Sequence, residues 1–346
     1  MSTAIFTTGF KTHLSAAACA LLVAGCQPAP SGLEHAAAPA PQAPAVPAWW
    51  QTANDPLLYA LIAQGLERNP EAACALAALQ ESDARAARHA RQIGAKLGRL
   101  LQPHSSTNDP DERTQRAGKV AARRIALARQ IALAYIEVRR LQQGTASQAA
   151  FHDQYADNAQ IAEFRRQAGL VPAIDGALAS SQADVAQGGL EFARTRLDDA
   201  IAALGVLVGE PPQPLAARLG SVGNVPDLQG DPMAGSAADD PMRAKLQQAA
   251  LRETQLAQAL EKSRRTVKDA RIAYREGAAT FATLYVAEAA ALAMELTLTD
   301  ARAAHAALIV DVWSPKDVGW ARHGLEPGLP TKLATPAAAT GVTPCD

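Results

Sequence analysis

Apolar residues recur along this chain at three- and four-residue steps, over stretches far longer than a single helix turn. Val120, Leu127, Ile131, Ala134, Val138 and Leu141 form one series, with Arg124 as its polar exception. Leu190, Ala193, Leu197, Ala200, Leu204 and Leu207 form a second. A third runs through Tyr285, Ala289, Leu292, Leu296, Thr299, Ala303, Ala306 and Val310. Such heptad-like spacing is the seam that packs long helices against one another at shallow angles. The starts are marked as well: Asp55-Pro56, Asn69-Pro70 and Asp240-Pro241 each place a capping side chain before a proline suited to the first helical position. The pattern predicts helices at about 56–67, 70–98, 113–167, 172–208, 241–276 and 279–313. A helix of about 55 residues rises about 80 Å at 1.5 Å per residue, which suits a rod or tube better than a compact globule.

The pattern also repeats. A shift of 108 residues (277 minus 169) superposes Gly169 on Gly277, Ala179 on Ala287, Ala183 on Ala291 and Leu190 on Leu298. It also places Ala193-Arg194 on Ala301-Arg302. Each copy reads as a helix, a glycine turn and a returning helix, so the body is expected to be a duplicated antiparallel hairpin, spanning about 113–208 and 241–313. The fold class expected is all-α.

Composition sharpens this. Of 346 residues, 80 are alanine, and aromatics make up 4%. Alanine is the best helix former and lets helix axes approach closely, while few β-branched and aromatic residues argue against a β-rich fold. The formal net charge of −1 removes the electrostatic case for binding nucleic acid.

The ends read differently from the body. Residues 1–25 hold Lys11 and an apolar run from Leu14 to Ala24, too short to span a bilayer. Val23-Ala24-Gly25-Cys26 has the small residues of a bacterial lipobox, in which Cys26 becomes the lipid-bearing N-terminus. Gln27, where an aspartate marks inner-membrane retention, favours the outer membrane. Residues 26–48 hold six prolines among alanines and read as a tether, and 321–346 as a low-complexity tail. Cys74 and Cys345 would be the cysteines left besides Cys26, which suggests neither a disulfide framework nor a metal site. No other stretch is long and apolar enough to be a transmembrane helix. Trp49-Trp50 suits an anchor at lipid headgroups or packing onto a neighbouring subunit.

These residues resemble the outer-membrane factor (TolC-like) family of efflux and secretion channels, particularly its lipoprotein branch. Trp49-Trp50, Asp55-Pro56-Leu57, Leu61-Ile62 and Asn69-Pro70 are similar to the opening segment of that branch. The run from Leu127 to Tyr135 resembles its first long helix. Phe164 to Leu170 and Leu204 to Pro211 resemble the first hairpin's turn and exit, and Tyr274-Arg275-Glu276-Gly277 the second turn. Asp317-Val318-Gly319-Trp320 is similar to its glycine- and tryptophan-containing end, so the resemblance covers about 49–320. It implies a homotrimeric helical tunnel in the periplasm, lipid-anchored to the outer membrane. The tunnel would be a passive conduit whose tips, Gly169-Leu170 and Gly277-Ala278, meet a periplasmic adaptor that connects to an inner-membrane pump.

Two departures stand out. The family crosses the membrane with β-hairpins between the helical pairs, whose strands need about 9–11 residues each. Here the segment 99–112 is short and polar, and 209–240 carries five prolines and no alternating apolar run. A barrel-less relative is therefore expected, with a lipid-anchored periplasmic scaffold or binding protein as the alternative. Relatives also place acids six or nine residues after the second-turn glycine, where this chain has Thr283 and Val286; Asp175, six after Gly169, is the acidic candidate for the tunnel mouth. No His-Glu-x-x-His, Cys-x-x-Cys, Gly-x-Ser-x-Gly or phosphate-binding glycine loop is found, and seven scattered histidines suggest neither enzyme nor cofactor. Arg123-Arg124, Arg139-Arg140 and Arg264-Arg265 read as solvated faces.

Overall fold

A computed structural model describes residues 48–51, 53–96, 110–228, 233, 240–314, 319–322 and 325. All lie in the compact unit Pro44–Asp346. The expected lipobox at Cys26, residues 1–25, nearly all of the tether and most of the tail lie outside the described residues, as do 97–109 and most of 229–239.

A short 3-10 turn at Trp49–Gln51 precedes α1 (Pro56–Arg68), α2 (Pro70–Lys96) and the 58-residue α3 (Pro110–Gln167). Then come α4 (Ala173–Val208), α5 (Pro212–Leu219), α6 (Pro241–Arg275), α7 (Phe281–Trp313) and α8 (Gly319–Arg322). Among the described residues there is no β-strand. The fold is all-α, built from two long antiparallel hairpins, α3–α4 and α6–α7.

The three proline-marked starts form as expected. Asp55 Oδ1 accepts from the amides of Leu57 and Leu58, each at 3.0 Å. Asn69 Oδ1 accepts from Glu71 at 3.1 Å, and Asp240 Oδ1 from Met242 at 2.9 Å. Each cap satisfies amides that the first helical turn cannot pair internally.

The hairpins lie side by side in the order α4, α3, α7, α6, with α3 and α7 in the middle of the layer. The seams carry this packing: Leu127, Ile131, Val138, Leu204 and Val310 are fully buried or nearly so. Arg124, the exception on its seam, donates from Nη1 to the Ala321 carbonyl at 3.2 Å and so fastens α8 to α3. α1 and α2 pack on α3, and Leu215 and Leu219 of α5 are buried in the same core. The run 209–228 is thus a short helix followed by irregular chain, with Leu228 also buried.

Four expectations need correction. Trp49 and Trp50 neither await lipid nor face a neighbour, because they are buried within their own chain. Trp49 lies 5.5 Å from Trp50 and stacks on Trp313 at 5.9 Å, and Trp50 meets Trp320 edge-on at 4.5 Å. Cys74 is disulfide-bonded; sequence spacing does not reveal which distant cysteine a fold brings within bonding range. Its partner lies outside the described residues. α7 is long and apolar enough to cross a membrane by length and composition, with a mean hydropathy of 1.4. It packs between α3 and α6, with Leu284, Leu298, Ala301, Ala303 and Ala306 buried.

The arginine pairs of α3 are the fourth, whereas Arg264 and Arg265 of α6 are exposed, as expected. Arg139 donates from Nε to Tyr135 Oη at 2.9 Å and from Nη1 to the Leu219 carbonyl at 2.9 Å. Tyr135 Oη in turn donates to Asp55 Oδ2 at 2.8 Å, so one polar chain joins α1, α3 and the end of α5. Arg140 bridges α3 to α7 through Asp300 at 2.7 Å, and Arg123 pairs with Glu71 of α2. Long guanidinium stems reach across helix boundaries that a single-helix reading cannot see.

Candidate functional site

The ends of the two hairpins are the best-defined feature that sequence singled out. α3 stops at Gln167 and α4 starts at Ala173; α6 stops at Arg275 and α7 starts at Phe281, so both turns have the same length and register. The hydrogen bonds repeat as well. Ala168 N donates to Phe164 O at 3.0 Å, Gly169 N to Arg166 O at 3.0 Å and Leu170 N to Arg165 O at 2.9 Å. The counterparts 108 residues on are Glu276 N to Ile272 O at 3.0 Å, Gly277 N to Tyr274 O at 3.2 Å and Ala278 N to Ala273 O at 2.8 Å. The last bond of each set spans the turn as in a Schellman motif, which needs a left-handed residue. Gly169 and Gly277 supply it, with φ of 72° and 76°.

The tips differ in chemistry. Leu170 is 71% exposed and Phe164 69%, and Ile174 beside them is also exposed. The corresponding positions of the second tip hold Ala278, Ile272 and Ala282. Asp175 lies in the first turn of α4, half-buried, where a carboxylate meets the positive end of the helix. On the solvent side Glu163 accepts from Nε and Nη2 of Arg166, each at 2.7 Å, which holds its carboxyl down to about 2.

Behind the tips the hairpins are joined. Ala162, Ala179, Ala270, Tyr274, Phe281 and Leu284 form a small apolar core drawn from all four long helices. Ala162 and Ala270 are counterparts in the repeat, and their small side chains let α3 and α6 approach the centre of the cluster. Arg165 crosses from α3 and donates to the carbonyls that end α6.

One turn further from the tips lies a polar knot that the sequence reading missed. Glu288 of α7 is 1% exposed in its side chain. It accepts from Gln154 Nε2, from Asn158 Nδ2 at 3.0 Å and from Arg271 Nε at 2.9 Å, which ties α7 to α3 and α6. Burial pushes the Glu288 carboxyl above the ordinary carboxylate range, against the pull of Arg271 and Asn158. The nearby Tyr155 hydroxyl is raised too, first by burial and then by the Glu288 charge. The only sequence signal was a glutamate four residues after Leu284, on the buried side of an alanine-rich helix. Glu288 forms the floor of a groove of about 620 Å³ between α3 and α6.

Solved structures share this architecture. The outer-membrane channel OprN superposes with a TM-score of 0.64 over 79% of this chain and 92% of its own, at 16% identity. The outer-membrane protein VceC from Vibrio cholerae gives 0.60 over 78% and 98%, at 15% identity. CmeC, the outer-membrane channel of Campylobacter jejuni, gives 0.60 over 79% and 87%, at 10% identity. The fold is that of outer-membrane channels. No protein-family model and no curated protein sequence matches the chain. At these identities the likeness is one of fold, and the roles of individual residues rest on their geometry.

Proposed function

We propose that this chain is the outer-membrane component of a tripartite efflux or secretion system, a passive conduit for small molecules, and a member of the lipoprotein branch of the outer-membrane factor family. The observation that carries the reading is the four-helix layer with two open edges. α4 presents Val185, Phe192 and Val206 to solvent and α6 presents Leu251. Apolar side chains on the outer helices of such a layer suit edge-to-edge packing with further copies, and three copies would close a helical tunnel.

In this reading residues 1–25 are a signal peptide, Cys26 carries lipid, and 26–48 tether the body to the outer membrane. The tips at Gly169-Leu170 and Gly277-Ala278 meet a periplasmic adaptor, and Asp175 lies near the tunnel mouth. The adaptor and an inner-membrane pump supply selection and energy. Heat-resistant trimers that conduct ions in planar bilayers are the expected result with purified lipidated protein. Palmitate incorporation lost in Cys26→Ala would confirm the anchor.

One observation favours a second reading. Residues 209–228, where the family inserts strands, are taken up by α5 and an irregular run, with Leu215, Leu219 and Leu228 buried in the chain's own core. A lipid-anchored periplasmic scaffold without channel activity follows from that. Monomers that leave bilayers sealed would establish the scaffold and sink the conduit.

A further inference from the structure

The two partners of the Glu288–Arg271 pair are not equally placed. The carboxylate is 1% exposed, whereas the guanidinium is 41% exposed and reaches it from the rim of the groove. A buried carboxylate bears nearly the whole loss of hydration, while attraction to a half-solvated cation is screened. Two amide donors, Gln154 and Asn158, satisfy lone pairs but bring no charge. Ionised Glu288 is therefore the least comfortable group in the junction.

The junction is also where the second hairpin meets the first. Glu288 bonds α3 through Gln154 and Asn158, and α6 through Arg271. Immediately tipward are the small apolar core, Arg165 and the Gly277 turn. Loosening at Glu288 reaches all of these, because the same stretch of α6 carries Arg271 and Tyr274.

We propose that Glu288 is a proton-operated lock between the hairpins: protonated, it holds α6 and α7 packed against α3, and ionised, it favours a looser junction into which water can enter. The surrounding charges do not reverse that sense. α6 brings Arg264, Lys268 and Arg275 to the groove besides Arg271, all at its rim, with Arg264 already paired to Glu261 and Glu295. From α3, Asp153, Asp157 and Arg165 line the adjoining part of the groove, and Tyr155 lies beneath it. From α7 Glu295 is the other acid, and no α4 residue lines the groove or its adjoining part.

The sign follows from linkage. A carboxyl whose value in the packed state lies above that of an open, solvated carboxyl binds its proton more tightly when packed. Packing is then favoured most below the open-state value, and the advantage is lost as pH rises through the packed-state value. Each unit of difference is a tenfold bias in the opening equilibrium. The lock concerns how the hairpins pack, and holds whether or not the chain conducts.

Amide hydrogen exchange of the full-length protein tests this, with protection in 270–288 compared with that in 127–141 of α3 between about pH 5 and about pH 8. Protection near the tip should fall as pH rises, by about tenfold, relative to the reference segment. Glu288→Gln keeps the shape without the charge. It should be more protected than wild type at the upper pH and lose the pH dependence. Arg271→Gln removes the cation bonded to the carboxylate, so the pH at which protection is lost should move upward. A flat wild-type profile overturns the lock. So does a folded Glu288→Gln protein no better protected than wild type at the upper pH. If Glu288→Gln fails to fold, an unmoved or lowered Arg271→Gln midpoint overturns it equally.

Discussion

Arg165 and Tyr274 lock the two hairpins together near their tips. The guanidinium donates from Nη1 to the Tyr274 carbonyl at 3.0 Å, and its carbon lies 4.9 Å from the centre of the Tyr274 ring. One side chain therefore caps the C-terminal end of α6 and covers an aromatic face. Arg165→Ala should destabilise the protein by about 1–2 kcal/mol, through loss of the dipole contact and the cation–π contact. Arg165→Lys should restore only part, because an ammonium cannot donate to two carbonyls while stacking flat on the ring. Urea midpoints of the three proteins decide it; equal midpoints would show the pair to be ornamental.

The turn glycines should tolerate alanine at a purely conformational cost. Nothing lies within 4 Å of a Cβ built at Gly169 or Gly277, so each substitution meets only the left-handed backbone, at about 1–2 kcal/mol. Gly223 is the contrasting case. A Cβ there would fall on Arg139 Nη1 and Gln142 Oε1, which hold the end of α5 against α3. Gly223→Ala should therefore cost more than either turn substitution, a ranking that thermal melts can reverse or uphold.

Tyr135 is the middle of a relay rather than a packing residue alone. Tyr135→Phe keeps the ring but leaves Asp55 Oδ2 and Arg139 Nε each short of a partner, for a loss of about 1–2 kcal/mol. In a double-mutant cycle with Arg139→Ala the two losses should fall well short of adding. Simple additivity would show the two contacts to be independent.

All four tryptophans of the chain are in one cluster. Trp50→Ala should cost about 3–5 kcal/mol, since it opens a cavity beside Trp49 and Trp320. It should also remove most of the near-ultraviolet circular dichroism that coupled indoles produce. A full near-ultraviolet signal in that variant would show that the cluster does not exist in solution.

Helices and turns were legible because their determinants are local. Asp55, Asn69 and Asp240 cap the amides next to them, and Gly169 and Gly277 take a backbone shape that other residues resist. The repeat was legible for the same reason: whatever one glycine turn requires, its copy requires 108 residues later. α5 was not, because two of its eight residues are proline and its support is the burial of Leu215 and Leu219 in a core built by other helices. The tryptophan cluster and the Glu288 knot were missed because their partners are distant in sequence. Trp50 meets Trp320, and Glu288 meets Gln154 from 134 residues away. Periodicity shows which way a residue faces but not what it faces.

That cluster has a topological consequence. Indoles at 49 and 50 touch indoles at 313 and 320, so the first and last helical segments described in the body meet there. The helical body is a closed circuit fastened by a clasp. It could in principle be cut at either glycine turn and rejoined at the clasp without losing a seam contact. A force applied through the segment before Trp49 would strain the clasp first, and the far ends of the hairpins would feel it last.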